Sequence, residues 1–415
     1  MKLKHQKSLN IKLKIPGSKS YFQRVVLLIY LLKQNKIVLQ NVGLSNDDKT
    51  VIKFLINNSF NVDYESNTLI MNRVGEAQSF KNDVGESGFL TRSLLGILSL
   101  ENNKYQIVGK GSLLKRSFNH ELSFLRKNGV EVSEDSYLPI SIKGPLKKKN
   151  INYDSSNSSQ FLSGLLLGLS IQLYKDTIAV SNLSSKKYID LTIEVAKKFG
   201  YIISHSNYTE FSFSTSNIKT PQQLFIESDW SSAAFWIVAG VISAEELILK
   251  GLNPNSSQAD KKILDVLDTI NISYNLDAES LIIKKQKLIG FQFDATDCPD
   301  LIPILCLLAV NCEGETRISG ISRLINKESN RKSVLIKEFQ NLGVLITEKD
   351  NTFIIANQKL NSGKVSSYND HRIAMTFTIA TITNRVEIEI DDLKCISKSY
   401  PDFLNHYIES GGEIN

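Results

Sequence analysis

The feature of this sequence that most restricts its fold is an internal repeat of about seventy residues. A polar opening followed by a strongly apolar, helix-length run occurs six times along the 415 residues. Successive copies are 69, 71, 71, 71 and 70 residues apart when anchored at Ser18, Ser87, Ser158, Asp229, Asp300 and Asp370. Self-similarity at a fixed period indicates that one supersecondary unit is used repeatedly.

A second, amphipathic segment alternates with the apolar one and also occurs six times. Its copies begin near residues 47, 119, 189, 259, 329 and 400, and most are followed by Gly or Asn and a strand-like run. A helix that is apolar nearly all round is buried, whereas a helix with one polar face lies at the surface. The repeat therefore predicts an α/β fold with inner and outer helices, and the polar stretch 214–223 between units three and four predicts a boundary between two domains.

Composition and charge exclude several classes of protein. The 49 Lys and Arg residues against 43 Asp and Glu give a net charge of only +6, and the lysines are scattered, so no nucleic-acid-binding stripe is expected. The four cysteines contain no CxxC pair and the histidines have no metal-ligand spacing, so we expect neither a zinc site nor a disulfide framework. The amino terminus resembles no signal peptide, and no apolar run reaches membrane-spanning length. We expect a soluble, cytoplasmic protein without a membrane or nucleic-acid partner.

The openings of the apolar segments carry more polar residues than a helix cap needs. Helix amino termini bind anions through unpaired N–H groups and a partial positive charge. The opening KIPGSKSYFQR brings Lys19, Ser20 and Arg24 together, yet it lacks the GxxxxGK[ST] spacing of a nucleotide-binding loop. Other polar groupings are SSQF from Ser158, NKESNR with Lys327, Glu328 and Arg331, and YNDHR with Asp370, His371 and Arg372.

These motifs, in this order, resemble those of the 5-enolpyruvylshikimate-3-phosphate synthase family over almost the whole chain. The matching signposts are PGSKS, GFLTR, SSQF, SKKYID, CPD, NKESNR, YNDHRIAM and CISKSYPDF. The resemblance implies a two-domain inside-out α/β barrel in which each domain has three βαβαββ units with buried inner helices. It further implies domains of residues 15–222 and of 1–14 plus 223–415, with an active site in the interdomain cleft. From the two-domain design we expect a monomer.

The resemblance also implies roles for individual residues. Lys19 would contact both substrates, and Asp300 and Glu328 would lie beside the attacking hydroxyl and the donor methylene, which makes these three the catalytic candidates. The acceptor, shikimate-3-phosphate, would be bound by Ser20, Arg24, Ser158, Ser159, Gln160, Ser185, Tyr188, Arg323 and Lys327. The donor, phosphoenolpyruvate, would be bound by Arg116, Arg331, Arg372 and Lys398, with Gly88 supplying backbone room.

The implied reaction joins the enolpyruvyl group to the acceptor hydroxyl and releases phosphate. Two phosphates and two carboxylates need several cations in a poorly hydrated site, and one acid and one base suffice for the proton transfers. No metal or organic cofactor is expected. The alternatives are a transferase acting on UDP-N-acetylglucosamine, which typically carries a reactive cysteine or aspartate on a mobile loop, and a non-catalytic anion-binding relative.

Several positions depart from the usual family pattern. Glu86 and Phe89 replace smaller or amide residues beside Gly88, and Ser117 stands where proline is frequent. Asn330 replaces a common Asp, and Arg323 occupies a site that is often Asn. None of these changes removes a candidate cation or carboxylate, so we expect activity to be retained.

Overall fold

The computed structural model describes residues 1–5, 7–76, 78–147 and 151–415. The chain divides into two compact units. The amino-terminal unit comprises Gly17–Ile226, and the carboxy-terminal unit combines Met1–Pro16 with Glu227–Asn415. Within the described ranges, no helix is both long enough and apolar enough to cross a bilayer.

Six buried helices correspond to the apolar copies of the repeat. They are α1 (Lys19–Leu32), α3 (Gly88–Leu98), α5 (Ser159–Ile171), α7 (Trp230–Ser243), α9 (Ile302–Val310) and α11 (His371–Asn384). In the amino-terminal unit α5 contacts α1 and α3, and in the other unit α7, α9 and α11 contact one another. Their side chains are buried over most of each helix, which confirms that the apolar segments form the inside of each unit.

The repeat anchors turn out to be helix caps. Ser18, Ser87, Ser158, Asp229 and Asp370 each precede an inner helix, and the side chain of each accepts a hydrogen bond from a backbone N–H of the first turn. Such caps satisfy donors that have no intrahelical partner and contribute about 1 kcal/mol each. The sixth anchor, Asp300, lies in a short 3-10 turn, Pro299–Leu301, that leads directly into α9.

Among the described residues, six further helices alternate with the buried ones and keep a solvent-facing side. They are α2 (Asn46–Ile56), α4 (Asn119–Lys127), α6 (Lys186–Lys198), α8 (Ile263–Thr269), α10 (Arg331–Asn341) and α12 (Phe403–Glu409). Several small 3-10 turns accompany them, at Gly111–Lys115, Ala259–Lys262, Ile321–Leu324 and Lys394–Lys398. The amphipathic copies of the repeat are therefore the outer helices, as the sequence predicts.

The strands form six four-stranded sheets, three in each unit. In the amino-terminal unit they are β3 (Lys36–Gln40), β4 (Phe60–Glu65), β5 (Thr68–Arg73), β6 (Lys81–Asp83), β7 (Lys104–Val108), β8 (Glu131–Val132), β9 (Ile140–Lys143), β10 (Ile151–Asp154), β11 (Ile178–Ser181), β12 (Tyr201–Ser206), β13 (Glu210–Thr215) and β14 (Gln223–Phe225). In the carboxy-terminal unit they are β1 (Lys2–His5), β2 (Leu9–Lys14), β15 (Ala244–Lys250), β16 (Tyr274–Leu276), β17 (Ser280–Ile283), β18 (Gln292–Asp294), β19 (Glu315–Ser319), β20 (Thr347–Lys349), β21 (Thr352–Ala356), β22 (Gly363–Val365), β23 (Ile388–Ile390) and β24 (Gly412–Ile414).

All six sheets have the same pattern of one parallel pair extended by antiparallel strands. The orders are β14-β3-β5-β4, β6-β7-β9-β8, β10-β11-β13-β12, β2-β15-β17-β16, β18-β19-β21-β20 and β22-β23-β1-β24. In four of them the parallel pair flanks an inner helix, as in β6-α3-β7, because parallel neighbours need a crossover connection. Three of the sheets, β6-β7-β9-β8, β10-β11-β13-β12 and β18-β19-β21-β20, come from consecutive βαβαββ segments, whereas each of the other three includes one strand from elsewhere in the chain. Alternating burial along the strands leaves one sheet face toward solvent.

Two strands pair outside the unit of the helix that follows them, and they fix where the chain divides. β2 precedes α1 but pairs in parallel with β15, and β14 precedes α7 but pairs in parallel with β3. The two compact units divide after Pro16 and after Ile226.

Candidate active site

In the carboxy-terminal unit one buried arginine holds three carboxylates. Arg331 is the first residue of α10, and its side chain is 1% exposed. Its NH1 lies 2.8 Å from Asp300 Oδ1, its NH2 2.6 Å from Glu328 Oε2, and its Nε 2.7 Å from Asp370 Oδ2. Burial alone would lower the pKa of Arg331, but the three carboxylates raise it above its ordinary value. Arg331 is thus a fixed cation that orients acidic groups from three different segments.

Asp300 is shared between three cations. Besides Arg331, it accepts from Lys327 Nζ at 3.0 Å and pairs with Arg372 NH2 at 3.1 Å, while Arg372 NH1 donates to the Asp300 carbonyl at 3.1 Å. Burial would raise the pKa of Asp300, but Arg372, Lys327 and Arg331 hold it well below its usual range. The side chain is therefore an ionised carboxylate whose basicity is suppressed by its partners.

Lys398 supplies a further buried cation. It ends the 3-10 turn Lys394–Lys398, is 8% exposed, and its Nζ lies 3.9 Å from Glu328 Oε1. Among the described residues its ammonium has no hydrogen-bond partner. Because a buried ammonium is costly unless it is paired and hydrogen-bonded, this arrangement favours binding of an added anion. Burial lowers the pKa of Lys327, and the positive charge of Arg323 lowers it further.

The loop before α11 adopts an uncommon backbone that positions its start. Tyr368 and Asn369 both have φ of 54°, in the left-handed region that side chains other than glycine adopt at a cost. Tyr368 donates its hydroxyl to Glu338 Oε1 at 2.8 Å, and the same carboxylate accepts from Ser366 N at 3.1 Å. Glu338 is 1% exposed on α10. The loop is therefore held from α10, which also carries Arg331, so that Asp370 caps α11 and Arg372 follows.

In the amino-terminal unit Arg24 is a buried guanidinium bonded to neutral groups. It donates to Thr192 Oγ1 at 2.9 Å, to the Ser20 carbonyl at 2.7 Å and to the Tyr188 carbonyl at 3.2 Å. Its Cζ also lies 4.6 Å from the centre of the Phe89 ring. No carboxylate pairs with it in the described part of the chain, and burial lowers the pKa of Arg24 to about 10. A positive charge held without a counter-charge suits an anionic ligand.

Gly88 is surrounded by cationic and polar side chains. A Cβ at this position would stand 3.1 Å from Arg116 NH1 and 3.3 Å from Arg92 NH1. Arg92 NH1 donates to Gln160 Oε1 at 3.3 Å, and Arg92 Nε pairs with Glu121 Oε1 at 2.8 Å. Any residue larger than glycine would press on this pair of guanidiniums.

The start of α5 gathers hydroxyl groups. Ser158 Oγ caps the helix by accepting from Gln160 N at 3.2 Å, and the Ser159 carbonyl accepts from a hydroxyl one turn later. Ser185 has φ of 59° and immediately precedes α6, where its carbonyl accepts from Tyr188 N at 3.1 Å. Lys19 begins α1 and pairs with Asp47 at 3.0 Å.

The atypical residues occupy positions with a clear physical explanation. Glu86 points to Ser112, accepting from its N at 3.3 Å and its Oγ at 3.2 Å. Ser117 Oγ accepts from the N–H of Asn119, the first residue of α4, at 3.2 Å. Asn330 caps α10 by accepting from a first-turn N–H, a role in which Asn and Asp are equivalent.

The sequence interpretation missed several polar residues that lie beside its candidates. Arg92 was detectable, because an arginine inside a predicted buried helix must find a partner. Its partner Glu121, like Asp47 and Asp260, lies in an amphipathic segment where acidic residues usually face solvent. Only the tertiary packing shows that Glu121 is 0% exposed and Asp260 1% exposed.

Solved structures with the same fold are enolpyruvyl transferases. An EPSP synthase from Acinetobacter baumannii aligns with a TM-score of 0.81 at 23% identity, covering 100% of this chain and 99% of the other. The enolpyruvyl transferase NikO from Streptomyces tendae aligns with a TM-score of 0.78 at 14% identity, covering 100% and 98%. The fold is thus that of the two-domain inside-out α/β barrels of enolpyruvyl transferases.

Sequence comparison narrows this class to one family. The family model of EPSP synthase (3-phosphoshikimate 1-carboxyvinyltransferase) matches residues 3–407. A 3-phosphoshikimate 1-carboxyvinyltransferase of Clostridium perfringens is 34% identical over 407 residues, which cover 96% of this chain and 95% of the relative. The chain belongs to the EPSP synthase family, enzymes of enolpyruvyl transfer in the shikimate pathway.

Proposed function

We propose that this chain transfers the enolpyruvyl group of phosphoenolpyruvate to the 5-hydroxyl of shikimate-3-phosphate and releases phosphate through a tetrahedral intermediate. The observation that carries the proposal is the set of cations around Asp300, where Lys327, Arg331 and Arg372 lie within 3.1 Å of its carboxylate oxygens. This arrangement combines anion binding with a potential base in one place.

The two units supply complementary groups in this proposal. Arg24 and the serines at the starts of α5 and α6 bind the acceptor, whose phosphate balances a guanidinium that has only neutral partners in the described chain. Arg116 beside Gly88, with Arg331, Arg372 and Lys398, binds the phosphate and carboxylate of the donor.

Substrate binding also adjusts the proposed base. In the structure the cations suppress the basicity of Asp300, and so it is a weak proton acceptor in that state. When Arg372 and Lys327 turn toward substrate anions, that suppression weakens and the pKa of Asp300 rises. Asp300 then accepts the proton of the 5-hydroxyl as its oxygen attacks the enol carbon.

The remaining proton transfers fall to Glu328 and Lys19. The donor methylene gains a proton as the carbon–oxygen bond forms, and it loses one again when phosphate leaves. Glu328 is held 2.6 Å from Arg331 NH2, which fixes its carboxylate, and Lys19 begins the helix that carries Arg24. Either Glu328 or Lys19 can exchange the methylene proton. Substituting each residue separately shows which one acts as the acid and which as the base.

The experiment that tests the proposal is release of inorganic phosphate by the purified protein. Phosphate should appear only when phosphoenolpyruvate and shikimate-3-phosphate are supplied together. UDP-N-acetylglucosamine is tested in parallel as the alternative acceptor, and substrate binding is followed by calorimetry. If the substrates bind but no phosphate is released, the chain is a non-catalytic anion-binding relative. If phosphate is released from phosphoenolpyruvate with UDP-N-acetylglucosamine but not with shikimate-3-phosphate, the proposed acceptor is wrong.

A further inference from the structure

Asp260 is a buried carboxyl that the proposed mechanism does not use. It lies in the 3-10 turn Ala259–Lys262, ahead of α8, and is 1% exposed. Its Oδ2 accepts a short hydrogen bond from the hydroxyl of Ser231, in the first turn of α7. Its Oδ1 has no hydrogen-bond partner in the described part of the chain. Leaving an ionised oxygen buried and unpaired is costly, so this position needs an explanation.

The nearest cation is Arg372, one of the residues proposed to bind the donor. Arg372 NH1 lies 3.8 Å from Asp260 Oδ2 and 3.1 Å from the Asp300 carbonyl, while its NH2 pairs with Asp300 Oδ2 at 3.1 Å. The Arg372 guanidinium therefore lies close to two carboxyl groups, those of Asp260 and Asp300. Any negative charge on Asp260 must compete with other anions for Arg372.

The surroundings of Asp260 disfavour its ionised form. Burial raises the pKa of Asp260 to about 7, with Arg372 opposing that rise and Asp300 adding to it. The other groups that act on this carboxyl are Ser231 of α7 and Asp229, which caps α7, and burial together with the negative charge of Asp260 in turn raises the pKa of the Cys298 thiol. Arg372 is the cation in this set, so the two charges are directly coupled.

We propose that Asp260 is a positioning residue for Arg372, and that its negative charge competes with the donor's phosphate or carboxylate for the Arg372 guanidinium. The inference rests on the proposed function only in naming Arg372 as a donor ligand. When the Asp260 carboxyl is protonated, Arg372 is available to a small anion. When it is ionised, Arg372 is drawn toward α7 and the anion binds less tightly.

Asp260→Asn tests the proposal because it keeps the shape of the side chain and removes its charge. Inorganic phosphate and phosphoenolpyruvate are titrated separately into the parent and the variant at pH 6 and pH 8.5. The ratio of parent to variant Kd cancels ionisation of the ligand itself. We expect a ratio near one at pH 6 and at least about fivefold weaker binding by the parent at pH 8.5, which is roughly 1 kcal/mol.

Ser231→Ala provides an independent variant should Asp260→Asn fold poorly. Loss of the hydroxyl removes a hydrogen bond that favours the ionised carboxyl, so the pH at which donor binding weakens should move upward. Shikimate-3-phosphate affinity is the internal control and should not change in either variant. Equal pH dependence in the parent and Asp260→Asn, or weaker binding by the variant at pH 8.5, overturns the proposal. Because phosphate binding needs no turnover, failure of the phosphate-release assay would leave this comparison intact.

Discussion

Replacing Asp300 by Asn should lower turnover while tightening binding of the donor. Asn keeps the shape and one acceptor oxygen but cannot take up the hydroxyl proton, so turnover should fall at least about a hundredfold. The same change frees Lys327, Arg331 and Arg372 from a carboxylate that lies 2.8 to 3.1 Å from each of them. The anionic donor then no longer competes with the Asp300 carboxylate for these three cations.

The size of the second effect can be worked from these contacts. A hydrogen bond to a charged group contributes about 1.5–3 kcal/mol and a neutral one about 0.5–1.5 kcal/mol, so each of the three contacts weakens by roughly 1 kcal/mol. If only a third of that total is transferred to the donor, its affinity rises by about 1 kcal/mol, or roughly fivefold. The remainder should appear as a lower free energy of unfolding.

Phosphate release measures turnover, calorimetry measures phosphoenolpyruvate affinity, and denaturant unfolding measures stability. Asp294→Asn is the matched control, because Asp294 accepts hydrogen bonds from the backbone N–H and the hydroxyl of Thr296, and no ion pair joins it to the three cations among the described residues. It should leave turnover and donor affinity unchanged. Turnover within tenfold of the parent in Asp300→Asn, or weaker donor binding, would refute the reasoning.

Three further outcomes follow from the packing and the charges. Gly164→Ala should lower the free energy of unfolding by about 2 kcal/mol, because its Cβ would stand 2.2 Å from a backbone carbonyl oxygen of α3. A Cβ at Gly168 would be crowded only by the end of the Leu100 side chain, at 2.5 Å, and would have ordinary contact with backbone at 3.8 Å, so urea unfolding of Gly168→Ala should show a change within about 1 kcal/mol. Lys19→Met should cut phosphate release about a hundredfold. Burial raises the pKa of Asp48 to about 7, so its contribution to stability should fall as pH rises from about 4 through 7.

Each of these outcomes has its own control. Lys33→Met changes an exposed lysine at the carboxy-terminal end of α1 and should preserve turnover. If Lys33→Met and Lys19→Met lose turnover equally, the role proposed for Lys19 is wrong. The side chain at position 48 cannot ionise in Asp48→Asn. The free energy of unfolding of this variant should therefore rise relative to that of the parent as the pH increases from 5 to 8. A constant difference over that range would show that Asp48 does not titrate as proposed.

The fold was predictable because the repeat appears in two independent series. The anchors predicted from polar residues include five caps, and a cap must stand immediately before its helix whatever the tertiary structure. The pairing of the strands was harder to predict from the sequence, since β2 and β14 pair with strands that are far away along the chain. Such pairing depends on the whole chain and leaves no periodic pattern near the strand itself.

The candidate site was predictable where a charge interrupts an apolar helix or opens one. Arg24 and Arg372 satisfy that description, and both are buried. Asp260 and Glu121 do not, because each lies in an amphipathic segment where acidic residues normally face water. Their burial is set by neighbouring helices, and therefore only the three-dimensional structure separates them from ordinary surface charges.

The pairing of charges in the carboxy-terminal unit shows how one group of residues can serve binding and chemistry in turn. Arg331 contacts three carboxylates and is too constrained to leave them, whereas Lys398 has no hydrogen-bond partner among the described residues. Arg372 is intermediate, because it is shared between Asp300 and Asp260. The least constrained cations should respond first to an added anion, and when Lys327 or Arg372 does so, Asp300 loses a positive charge that suppresses its basicity. In the function we propose, donor binding and activation of Asp300 as the base are the same electrostatic event.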